Sequence, residues 1–206
     1  MKKVVALLFT IAIGSSCFSQ VISSQENEIL FGFSLGTNYS NIIIPESPIP
    51  NGGKLKNGAG FQLGILMEAP LSERVSIVPR AELNFRGGQI NFDNDPDGLQ
   101  TIHVMSTTID AIVHFNFKVS RNKLSPYIVL GPNFSYELTP DNSTSTQFTS
   151  IPNLSIDMGL GFNKALEYFG IAPEFRYSFG LFNVNGNPLM STIYAHSITL
   201  ALNFKG

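Results

Sequence analysis

The chain has 206 residues, 43% of them hydrophobic and only 14% charged, where an average soluble domain is about 25% charged. That much apolar content at a formal net charge of −2 excludes a disordered chain, and a single cysteine excludes an internal disulfide scaffold. With 13 Lys+Arg against 15 Asp+Glu, the chain is not a basic nucleic-acid binder.

Met1-Lys2-Lys3, an apolar run over residues 4–13 and then Gly14-Ser15-Ser16-Cys17-Phe18-Ser19 form the three-part pattern of a secretory signal. The run is too short for a membrane helix, which needs about 20 residues. Cleavage after Ser19 makes residues 1–19 a signal peptide and residues 20–28 a short periplasmic segment. The alternative is a lipoprotein with Cys17 lipidated, although Gly14 stands where a lipobox takes an aliphatic residue.

From residue 29 onward the hydrophobicity alternates with period two, the signal of a half-buried strand. Eight strands are predicted, over residues 29–40, 61–69, 75–86, 102–118, 126–138, 154–163, 169–180 and 196–204. Each is near the ~9–11 residues with which a tilted strand crosses a bilayer. Long polar connections (41–57, 87–100, 139–153, 181–195) take turns with short ones (70–74, 119–125, 164–168), and the long ones read as mobile outer loops. A barrel with one end outside the cell and one in the periplasm sorts its connections in this way. The fold class is therefore all-β, an eight-stranded up-and-down antiparallel transmembrane β-barrel over residues 29–206.

Which face meets lipid follows from the charges. After the signal, every lysine falls in a connection or at a strand end. The strand charges Glu68, Arg80, Glu82, Arg86, Asp110, Glu137, Asp157, Glu174 and Arg176 all avoid the parity of the large apolar residues. They are candidates for an ion-pair network in a narrow lumen, because charges away from water must pair. The apolar face is left to lipid, where an Arg or Lys at mid-membrane would cost about 2–4 kcal/mol. Aromatics gathered near both strand ends suit two interfacial girdles. A soluble periplasmic or secreted barrel that holds an apolar ligand is the alternative; it would need water to wet the sparsely charged face.

Residues 198–204 form an alternating strand that closes on Phe204, which resembles the C-terminal signal read by the outer-membrane assembly machinery. Four stretches resemble the PorT-like outer-membrane β-barrel family, similar in architecture to the OmpA transmembrane domain. They are Pro79-Arg80-Ala81-Glu82-Leu83-Asn84-Phe85-Arg86-Gly87, Ser125-Pro126-Tyr127-Ile128-Val129-Leu130-Gly131-Pro132, Gly159-Leu160-Gly161-Phe162, and residues 174–183 from Glu174-Phe175-Arg176-Tyr177 to Asn183. The chain departs from the family at Ile109-Asp110, where an Ile-Pro step is usual. The resemblance implies a barrel in the outer membrane of a Gram-negative bacterium, with outer-membrane lipid and the assembly machinery as partners. Because the family includes a component of a protein-secretion apparatus, it also offers secretion or envelope proteins as partners.

Catalysis and metal binding have little support. Asp93, Asp95 and Asp97 run into Gly98 with alternate carboxylates suited to Ca²⁺, but Val104 stands where the motif needs its bidentate Glu. An acidic Pro-Gly turn accounts for the run at less cost. His114 has lumen parity and shares a face with Asp110, while His103 and His196 have lipid-face parity near the outer rim. No Ser/His/acid arrangement is recognisable. The expectation is a non-enzymatic protein without cofactor or metal, in a structural or interaction role, with a lipid-modifying enzyme as the third reading.

Overall fold

The computed structural model describes residues 28–45, 53–92, 100–119, 124–138, 150–186 and 192–206. The predicted signal peptide and the Asp93, Asp95 and Asp97 run lie outside them. Eleven strands are present: β1 (Leu30–Ile43), β2 (Gly53–Lys56), β3 (Gly58–Pro70), β4 (Val75–Phe85), β5 (Gln89–Phe92), β6 (Gln100–His103), β7 (Thr107–Lys118), β8 (Leu124–Glu137), β9 (Asn153–Ala165), β10 (Gly170–Gly180) and β11 (Tyr194–Lys205). Eight of them close into an antiparallel barrel in the order β1-β11-β10-β9-β8-β7-β4-β3. These are the eight strands that alternation predicts, and closure leaves no unpaired edge to be satisfied in lipid.

Parity sets what each face carries. Ile65 is 68% exposed and Leu200 59% on the outer face, whereas Glu174 and Arg176 on the inner face are 1% and 2% exposed. A soluble ligand-binding barrel would have the reverse distribution, with its apolar residues inward. The lumen is not wholly polar, however. Leu66, Val78, Ile112 and Val129 also point inward and are buried. Glycines admit the bulk of their cross-strand neighbours: a Cβ on Gly161 would run into the Tyr127 ring, and one on Gly64 would lie 2.7 Å from Glu82 Cγ.

The predicted strand over 102–118 is two elements. Met105 sits at φ 54° between β6 and β7, and this left-handed conformation of a non-glycine residue breaks the strand. Upstream of it, β6 joins β2 and β5 in a separate three-stranded sheet in the order β2-β5-β6. For the described residues of the long connections this corrects the reading as mobile loops, since those residues fold into one cap. The core of the cap contains Ile42 from β1, Ile90, Ile102, Val104 and Met105 from the second long connection, and Val184, Ile193 and Ala195 from the fourth connection and the start of β11. Leu55 of β2 packs against it. The third connection is tied in as well, because Ile151 N donates to Val184 O at 3.0 Å.

Candidate functional site in the barrel lumen

The lumen charges come mainly from β4 and β10, which stand opposite each other with three strands between them on either side. Alternation turns Arg80 and Glu82 of β4 inward, and likewise Glu174 and Arg176 of β10. Both strands run in the same direction, so Arg80 meets Glu174 and Glu82 meets Arg176 straight across the bore. Arg80 Nη2 donates to Glu174 Oε2 at 2.9 Å, and Arg176 Nη2 donates to Glu82 Oε2 at 2.8 Å. Within each strand the opposite charges lie 3.7 Å (Arg80–Glu82) and 3.6 Å (Arg176–Glu174) apart, which closes a four-membered square.

Neutral groups complete the square. Tyr127 OH donates to Glu174 at 2.8 Å, Gln62 Nε2 donates to Glu82 at 3.1 Å, and Asn203 Oδ1 accepts from Arg80 at 3.3 Å. Further toward the cap, Arg86 pairs with Asp110 at 2.7 Å, and Asp110 also accepts from Thr108 and Asn84. At the other end Glu68 holds Lys205 at 2.7 Å and Lys118 at 3.3 Å.

Eight of the nine predicted lumen charges thus pair with one another or with a nearby cation or imidazole. Glu137 stands apart: among the described residues it forms no ion pair and instead accepts from Ser106 N at 2.8 Å under the cap. His114 does not reach Asp110. Its Nε2 lies 2.9 Å from Asp157 Oδ2 on β9, and Asn133 also donates to Asp157. Four residues along a strand share a face but span about 13 Å, so a neighbour on another strand is nearer.

Sequence reasoning missed Lys118, Lys205, Tyr127, Gln62 and Asn203. Lys205 reads as a strand-end lysine, yet it has the parity of Asn203 and Ala201, which was the available signal. His103 belongs to the cap sheet rather than the lipid face. His196 keeps lipid-face parity but is buried, its Nδ1 3.2 Å from Tyr177 OH and its ring edge-on to Phe179. Different sheets thus carry the two residues. Phe204 lies on the outer face of β11, stacked on Phe33 of β1 with centroids 4.7 Å apart across the closing seam.

The profile of the family described as "Outer membrane protein beta-barrel domain" matches residues 18–186. The chain belongs to this family. An outer-membrane barrel places its short turns in the periplasm and its long connections, here the cap, outside the cell. Among solved structures, Neisserial surface protein A is 12% identical at a TM-score of 0.50, covering 85% of this chain and 95% of that one, a likeness of fold alone. Ail of Yersinia pestis, solved with the heparin analogue sucrose octasulfate, is 16% identical at a TM-score of 0.44, covering 87% of this chain and 99% of its own. The N-terminal barrel of Pseudomonas aeruginosa OprF is 14% identical at 0.43, covering 88% and 100%. No curated protein sequence matches the chain.

The outer-membrane barrel accounts for the Gly-x-Gly of β9. Arg176 crosses over Gly159 and Tyr127 over Gly161, so each glycine makes room for one arm of the square. Gly161→Val should push Tyr127 off Glu174. We expect the urea midpoint of the refolded barrel to fall by an amount corresponding to about 1–3 kcal/mol of overpacking, while Val at exposed Leu160 should leave it nearly unchanged.

Proposed function

We propose that the protein is a non-enzymatic structural or interaction protein of the outer membrane, with a plugged bore and a folded extracellular cap as its contact surface. The observation that carries this reading is the pair of ion pairs across the bore, Arg80 with Glu174 and Arg176 with Glu82, whose side chains are 0–2% exposed. Charges so placed brace opposite walls and fill the space a solute would need, as in an eight-stranded interior generally. Membership of an outer-membrane β-barrel family supports export by the signal over residues 1–19. The PorT-like resemblance makes a secretion apparatus the first partner to test. Outer-membrane lipid and the assembly machinery complete the set of partners.

The test is a planar-bilayer recording of the refolded protein, together with a lipid A profile of a deletion strain. We expect a silent bilayer and unchanged lipid. A steady conductance would replace the plug with a pore, and a lost acyl modification would make the protein an enzyme. Photo-crosslinking from the 71–74 turn should capture a secretion component; capture of none removes that association.

A further inference from the structure

The two halves of the barrel repeat each other. Leu35-Gly36-Thr37-Asn38-Tyr39-Ser40 of β1 returns as Leu130-Gly131-Pro132-Asn133-Phe134-Ser135 of β8. Ile77, Pro79 and Phe85 of β4 return as Ile171, Pro173 and Phe179 of β10, and Asn116-Phe117-Lys118 of β7 returns as Asn203-Phe204-Lys205 of β11. Each strand named stands opposite its counterpart in the barrel.

The pairing registers agree with the sequence match. Ser34 faces Gly64 as Val129 faces Gly159; Gly64 faces Glu82 as Gly159 faces Arg176; Gly32 faces Lys205 as Tyr127 faces Lys118. Even a backbone bond is repeated, since Gly206 N donates to Phe31 O and Val119 N to Pro126 O, both at 2.9 Å. One pairing differs. Glu82 faces Asp110, so a matching register would set Arg176 against Ser197, but Arg176 faces Thr199 instead. A slip of this size keeps the inner face inward.

At two pairs of equivalent positions the charges are reversed. The order is Pro79-Arg80-Ala81-Glu82 on β4 and Pro173-Glu174-Phe175-Arg176 on β10. A twofold repeat brings each of these residues against its own counterpart across the bore. With the order conserved, Arg would meet Arg and Glu would meet Glu in a buried space.

We infer that the barrel is two copies of one four-stranded half, and that the reversed order of Arg80/Glu82 and Glu174/Arg176 makes each half accept the other kind and reject its own. The N-terminal half is thereby barred from closing with a second N-terminal half from another copy of the chain, and the C-terminal half likewise. The neutral partners do not dictate the order, because Tyr127, Gln62 and Asn203 can each both donate and accept.

Three full-length variants refolded into detergent test this. E174R/R176E makes the order identical in both halves, as does R80E/E82R, and the four-residue variant reverses both. We expect the folded-to-unfolded ratio, read from the faster-migrating unboiled band across a urea series, to fall at least about a hundredfold in each two-residue variant. It should return to within about tenfold of wild type in the four-residue variant. A four-residue variant no better than the two-residue ones would overturn the inference, because each charge would then be fitted to its own site. Two-residue variants as stable as wild type would overturn it as well.

Discussion

Arg176→Met should cost the barrel about 3–5 kcal/mol, the penalty for leaving a buried charge without its partner. Arg176 is 2% exposed and holds both oxygens of Glu82, at 2.8 and 3.1 Å. Once it is removed, Glu82 keeps, among the described residues, Gln62 at 3.1 Å and the guanidinium of Arg80 at 3.7 Å. The loss can be read as a shift in equilibrium urea unfolding of the refolded protein in lipid bicelles. Adding Glu82→Gln should recover a large part of it, since the stranded charge goes too. A double variant as unstable as the single one would mean that Arg176 acts by packing over Gly159 rather than by charge.

Ile90→Ala should open the cap and leave the barrel closed. Ile90 is fully buried within β5, in a core that draws on β1, β5, β6 and β11 and on the links before β7 and β11. Truncating such a residue costs about 2–5 kcal/mol, so the open cap should be populated roughly thirtyfold to a few thousandfold more often. Limited proteolysis of the refolded protein measures this directly, because cleavage follows the open population when closing is fast. The extracellular segments should be cut faster by that factor while the heat-dependent shift of the barrel band persists. Loss of the shift along with the cap would show that the barrel leans on its cap.

The barrel was legible because lipid enforces one rule on every strand: large apolar residues must share a parity. Arg80, Glu82, Glu174 and Arg176 could be assigned to the lumen on that rule alone. Their partners could not, since Arg80 and Glu174 are 94 residues apart and only closure of the sheet brings them together. His114 shows the same limit, with an acid in view on its own strand and its actual acid on β9. The cap was hidden for another reason. Its strands are four residues long, as at Gln89–Phe92, so two alternations inside a polar segment look like chance. The hexapeptide of β1 and β8 was readable in principle. Only the register, however, distinguishes a repeat from two strands that meet the same packing demand.

The cap core includes Ile42, near the end of β1, and Ala195, near the start of β11, and these two residues face each other across the seam where the sheet joins itself. Half of that floor therefore comes from the first barrel strand the ribosome makes and half from the last. The core of the cap is incomplete while the chain is still an open ribbon. To an antibody, a phage or a neighbouring cell, the shape on the surface is a certificate of completion, displayed only by molecules that have finished closing.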